Sequence, residues 1–181
     1  LPNVTFGNGD KLTNYYRLTS RAMLPPANER TLISCIMPPK SSHINGAQSI
    51  AFEKFEDLIC TSFVFFSIVA DFYIKSTGRS NLMLGWQSLP SLPISLEAKI
   101  RVLGLSCLTC SYGVLWEKLW NDGIKNDAWT SDNSILNKNY FKNTNQIWKW
   151  KYGLRTDFER RQALIEIDVL VAMTLGMTLQ E

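Results

Sequence analysis

Cys107 and Cys110, three positions apart, are the closest approach in this sequence to a metal-ligand or redox motif. A structural zinc takes four ligands, so a C-x-x-C needs a second pair elsewhere. The only histidine is His43, and Cys35 and Cys60 stand alone. The C-x-x-C falls inside a helical apolar pattern, where free cysteine packs as a small hydrophobe. Core packing is therefore expected, and no metal. A lone histidine builds neither a Ser-His-Asp nor a Cys-His site. His43 is expected in a loop, either capping backbone groups or touching a phosphate or base. Gly7-Asn8-Gly9 has no β-run before it and no helix after it, so it reads as a turn and not as a nucleotide cradle. The carboxylate pairs Asp71 with Glu53 and Glu166 with Asp168 read as solvated helix faces or local ion pairs. Nothing here assembles a catalytic apparatus or a cofactor site.

The cations are distributed more suggestively. Arg17, Arg21, Arg30, Lys40, His43 and Asn45 gather around a short β-type run. Lys75, Arg79, Ser80 and Asn81 gather after the first helical stretch, and Lys138, Lys142, Trp148, Lys149, Trp150 and Lys151 interleave charge with aromatic rings. Such mixtures suit phosphate contact combined with base-edge reading. Arginine matches guanine and asparagine matches adenine through paired hydrogen bonds. The competing reading is an ordinary solvated surface with its aromatics turned inward.

These side chains must be carried by a folded body. At 181 residues, 45% hydrophobic and 19% charged, the chain suits one domain with a real core. Its net charge of +3 neither requires nor excludes nucleic acid, because distribution over the surface decides. The most apolar stretch, residues 58–70, is too short to span a bilayer, and no basic segment followed by an apolar one marks a signal peptide. Cysteines in apolar surroundings fit a reduced, cytoplasmic protein. The absent Met at the start and the periodic stretch at the end read as a piece of a longer polypeptide.

The element pattern is strand, helix, strand, helix. Residues 1–20 are expected as loop or short strand. A strand over 30–37 stops at Pro38-Pro39, a loop covers 40–46, and a second strand covers 49–52. A helix is expected over 53–75, with Gly78 as its terminator. A strand over 81–89 and a long helix over 96–120, started by Ser95, follow. Residues 121–145, rich in Asn, Asp, Ser and Gly, form a loop, and 157–175 form the last helix. The expected class is α/β or α+β: a short mixed sheet packed against two or three long helices.

The run from Arg30 through Thr31, Leu32, Ile33, Ser34, Cys35, Ile36 and Met37 to Pro38-Pro39, continued by His43-Ile44-Asn45-Gly46 and Ser49 to Phe52, resembles a known region. It is similar to the C-terminal part of large adenine-specific DNA methyltransferases of bacterial restriction–modification and phage-defence systems, type IIG-like or DISARM-like. In these an E-R-T-L-I-x-x-I-x-P-P segment lies in the target-recognition region. Asp71-Phe72, Gly78 to Asn81 and Leu89-Pro90 resemble the D-F, G-x-x-N and L-P passage of such domains. Arg161 to Ala172 resembles the A-L-x-E-I-D-x-L-V-A helix that follows them. Together these pieces cover about half the chain; 121–150 matches none of them.

The resemblance implies a non-catalytic DNA target-recognition domain over 1–155, with 156–181 the start of a following helical segment. The parent would bind S-adenosylmethionine in an upstream methyltransferase domain and methylate adenine N6 on a flipped base, and it could also cleave DNA. The implied partners are double-stranded DNA and that upstream domain, with no membrane. The implied DNA-binding residues are Arg30, Lys40, His43 and Asn45, then Lys75, Arg79 and Asn81. Arg30 has a second possible role, anchoring the strand through Glu29 or Asp71. Two other readings remain open: a protein–protein docking module of a defence complex, in keeping with six tryptophans, and a small stand-alone enzyme.

Overall fold

A computed structural model describes residues 4–6, 9–25, 27–178 and 180. Gly7 and Asn8 of the expected turn lie outside the described residues. Three strands form one sheet: β1 (Arg17–Arg21), β2 (Ser34–Met37) and β3 (Ala47–Ala51), in the order β2-β1-β3 and antiparallel throughout. Among the described residues five α-helices accompany it, α1 packing directly against β1 and β2: α1 (Phe55–Phe65), α2 (Ile68–Ser76), α3 (Leu96–Ser106), α4 (Gly113–Leu119) and α5 (Asp157–Thr174). The class is the expected mixture of a short sheet and helices, but only α5 is long.

The central strand is the least conspicuous in sequence. Arg-Leu-Thr-Ser-Arg offers one apolar side chain, Leu18, which lies in the core opposite Ile36 and Ile50. Hydroxyls do the remaining cross-strand pairing, Ser20 with Ser34 and Thr19 with Ser49, each at 2.7 Å. Residues 30–33, expected as the first half of this strand, do not join the ladder, apart from Ile33, whose carbonyl accepts from Arg21 N. Instead, the amides of Thr31 and Leu32 donate to Asp71 Oδ1 on α2 at 2.6 and 2.5 Å.

The expected helix over 53–75 is broken. α1 and α2 are bent by 68° at Phe66-Ser67. Buried Ser67 donates to Val64 O and caps α2 by accepting from Ala70 N. The break exposes a carbonyl on Phe66 and an amide on Ile68. Arg30 Nη1 takes the first at 2.9 Å and Asp168 Oδ1 the second at 2.7 Å. Among the described residues no single helix is long and apolar enough to cross a membrane.

The expected helix over 96–120 also divides, after Ser106. The last carbonyls of α3 lack partners within the helix, and residues from the far segment satisfy them. Leu154 N reaches Gly104 O, Arg160 reaches Leu105 O, and Trp148 Nε1 reaches Cys107 O. The strand expected over 81–89 is a 3-10 turn over Met83–Ser88. Asn81 makes only an isolated bridge to Met23, and its side-chain oxygen captures Met83 N, which turns the chain.

Residues 121–145 lack strands, as expected, but they are tethered. Asn121, Asn133 and Asn137 each accept from the amide two residues on, a series of Asx turns. Trp116 and Trp120 donate to Asn145 O and Thr144 Oγ1, and Phe141 is buried. Gly104 permits the closest approach: a Cβ there would lie 2.6 Å from the hydroxyl of Tyr140. α5 starts near the expected boundary with a Thr156/Glu159 capping box. Its Ala163, Ile167 and Val171 belong to the same core as Leu18, Ile36 and Phe63.

Candidate nucleic-acid interface

The loop between β2 and β3 begins at Pro38-Pro39, where neither residue can extend the ladder with a donor. Lys40 is exposed and holds a left-handed backbone, φ 61°, and its amide donates to Thr13 O at 2.7 Å. Ser41 brings its carbonyl onto Arg17 Nη2. His43 hydrogen-bonds through Nε2 to Ser49 Oγ at 2.7 Å, and Ser49 Oγ in turn meets Thr19 Oγ1. Its Nδ1 lies 2.9 Å from Ile44 O. The loop therefore bonds to the polar face of the sheet, and it leaves Asn45 exposed beside the start of β3.

That end of the sheet also receives residues 79–82. Leu24 N donates to Ser80 O, Leu82 N to Ala22 O, and Ala22 N to Gly46 O. Asn81 accepts from Gln48 Nε2 at 3.5 Å and is exposed, as is Arg79. Asn45, Arg79 and Asn81 thus share one end of the sheet, with Arg21 exposed on the last position of β1. Lys40 and His43 lie along the same loop. Of the five cations from Lys11 to Phe52, Arg17 is buried and Arg30 is paired with Asp168, which leaves Lys11, Arg21 and Lys40 exposed against a single carboxylate, Glu29, and no carboxylate occurs between Phe72 and Leu96. A cationic, polar surface of this kind is what a polyanion selects.

Two of the anticipated residues do not join it. Arg30 is neutralised by Asp168 at 2.9 Å and donates to Phe66 O. Its anchor is Asp168 and neither Glu29 nor Asp71: Glu29 faces Arg161, and Asp71 accepts the backbone amides of Thr31 and Leu32. Burial raises the Asp168 carboxyl above its ordinary value, only partly countered by Ile68 N–H and Arg30. Lys75 reaches toward Asn28 O at 3.5 Å, next to Arg30.

Glu166 is likewise internal, together with Arg101. Arg101 is 2% exposed and donates to Glu166, to Asp127 Oδ2 at 2.5 Å, and to the carbonyls of Glu97 and Ala128. The rings of Trp129 and Phe141 lie 5.7 and 5.0 Å from its Cζ. Burial disfavours charge on Glu166, but hydrogen bonds from Gln162 and Thr130 and the Arg101 charge outweigh it and hold the carboxyl low. Of the two readings for Glu166 and Asp168, a solvated face or ion pairs, the structure shows ion pairs, with Glu166 buried and Asp168 half-buried. Cys107 is fully buried, which pushes its thiol up, and Cys110 is exposed. Among the described residues no group of side chains could hold a metal ion.

In the third cationic cluster Trp148 turns inward to Cys107 O, whereas exposed Trp150 lies 3.3 Å under the Arg155 guanidinium. A cavity of about 300 Å³ runs between β2 and α5, lined by Ile33, Cys35, Phe65, Leu108, Tyr112 and Leu164. β2 is an edge strand there. The Tyr112 hydroxyl donates to Ile36 O, and burial pushes its pKa up to about 12. The residue with the most distinctive surroundings, Arg17, was legible only as one member of a cationic group. The sequence sign of its position is the alternation Arg17, Thr19, Arg21 on one strand face. In comparisons with known protein families, curated proteins and solved structures, nothing matches the chain.

Proposed function

We propose that this chain is a non-catalytic, DNA-reading target-recognition domain of a larger adenine-specific DNA methyltransferase of the restriction–modification or phage-defence type, working in the cytoplasm. The S-adenosylmethionine site and the chemistry belong to an upstream domain of the parent. The observation that carries the reading is the segregation of charge: Asn45, Arg79 and Asn81 share one end of the sheet with Arg21, Lys40 and His43 lie along the loop that leads to it, and these stretches of sequence are poor in carboxylates, while Arg30, Asp71, Glu166 and Asp168 are spent on internal ties. Lys40 and Arg79 hold phosphates, and Asn45 and Asn81, exposed at the same end of the sheet, read base edges.

The test is fluorescence anisotropy of a mixed-sequence duplex with the whole chain, at low and near-physiological salt. Binding is expected to weaken steeply with salt, because counterions are released for each phosphate engaged. Lys40→Ala and Arg79→Ala each reduce the slope by about one. No binding at low salt, with the parent's methyltransferase domain also present, would discard the reading. A docking module is the second reading, favoured by the open edge of β2 beside the cavity and by exposed Ile33, Ile68 and Ile165.

A further inference from the structure

Arg17 opens β1 and is 5% exposed. Among the described residues its guanidinium makes one hydrogen bond, Nη2 to Ser41 O at 2.5 Å, and Nε is buried with no acceptor. None of the ion pairs among these residues includes it. Taking a cation out of water without a counter-charge is strongly unfavourable. Burial alone lowers the Arg17 pKa, yet a guanidinium does not escape by giving up its proton. Arg101 is as deeply buried and has two carboxylates; Arg17 has a carbonyl.

We propose that Arg17 is the centre of an anion site suited to a phosphate group, and that in the DNA-reading domain it engages one backbone phosphodiester. The second half of this statement rests on the proposed function; the anion site does not. The surroundings suit a phosphate. Strand alternation puts Thr19 on the same face as Arg17, roughly 7 Å along β1. Ser49 stands opposite Thr19 in the register and is bonded to both Thr19 and His43, so a chain of polar groups runs across the face. Ser41, on the β2–β3 loop, sets its carbonyl on Arg17, and Lys40 precedes it in the chain. Lys40 is exposed, in a backbone conformation that non-glycine residues seldom keep outside constrained loops. The guanidinium fork matches phosphate oxygens, with Nε as its open donor.

The experiment observes the Arg17 Nε–H resonance of the unaltered full chain by NMR while inorganic phosphate, and separately a mixed-sequence duplex, is titrated. Both ligands are expected to move it. Arg17→Gln weakens duplex binding about tenfold and removes about one unit of salt slope; Arg17→Lys, which keeps the charge but not the fork, recovers part of the affinity. If phosphate moves the resonance and the duplex does not bind, the anion site stands and the DNA reading falls. If the duplex binds with the resonance unmoved, the DNA reading stands and the Arg17 site is overturned. If neither ligand moves the resonance, the site is overturned. Because the resonance is read in the unaltered chain, failure of Arg17→Gln to fold does not rescue the proposal.

Discussion

Arg101 and Arg17 are both buried guanidinium groups, and their environments are opposites. Arg101 sits between α3 and α5 with Glu166, Asp127, two carbonyls and two aromatic faces around it. Arg17 lies at the start of the central strand and has, among the described residues, one carbonyl and no partner for Nε. Complete satisfaction marks a group whose work is internal. Incomplete satisfaction of a buried charge marks a place where something outside the chain is wanted. The same contrast separates the helical side of the molecule, where carboxylates close on amides and guanidiniums, from the sheet side, where carboxylates are nearly absent.

The largest expected effect breaks the satisfied member. Arg101→Met leaves Glu166 and Asp127 buried without their cation, and a loss of about 3–5 kcal/mol is expected, read as a drop in the urea midpoint. An unchanged midpoint would mean that water already screens the network. Next is Gly104→Ala, which drives a methyl into the Tyr140 hydroxyl and Leu154. About 1–3 kcal/mol of overpacking is expected, with the tryptophan fluorescence of the tethered segment changing before global unfolding.

Acid titration sharpens the comparison. Glu166 is held low in the fold, so its stabilising contribution is present above the unfolded carboxylate's pKa and is lost as pH falls through the folded value. Asp168 is raised, so its unfavourable contribution at neutral pH is relieved as pH falls through its folded value. Stability against pH in Asp168→Asn should therefore fall more steeply on acidification than in the parent chain, and in Glu166→Gln less steeply. Equal curves for all three would remove the argument. The sign reverses at Arg17: Arg17→Met removes an uncompensated buried charge and is expected to raise stability, by about 1–4 kcal/mol. A loss as large as that of Arg101→Met would show that Arg17 is an internal tie after all.

The mixed class, the strands flanking Pro38-Pro39 and the last helix follow from local signals, since proline stops a ladder and α5 has an apolar stripe. What periodicity cannot report is where a helix breaks. The α1–α2 bend depends on Arg30 and Asp168, the latter 100 residues away from Ile68. For β1 the sequence leaves loop and short strand both open, because its cross-strand pairs are hydroxyls, which carry no apolar alternation. Of the anticipated site, Asn45, Arg79 and Asn81 share one end of the sheet, Lys40 and His43 lie along the loop that leads to it, and Arg30 and Lys75 lie elsewhere. A charged side chain in a sequence has no stated partner, and only the fold assigns Asp168 to Arg30.

The ties made by α5 also order events in time. Arg30 and Asp168 are separated by 138 residues, and Ile68 waits for the same carboxylate. At about 5–20 residues per second of synthesis, Arg30 spends on the order of ten seconds outside the ribosome before its counter-ion exists. Throughout that interval the α1–α2 corner has an open carbonyl and an open amide, and the apolar faces that α5 will cover are bare. A nascent chain paused before residue 168 is therefore the form of this protein that a holdase chaperone should bind most tightly.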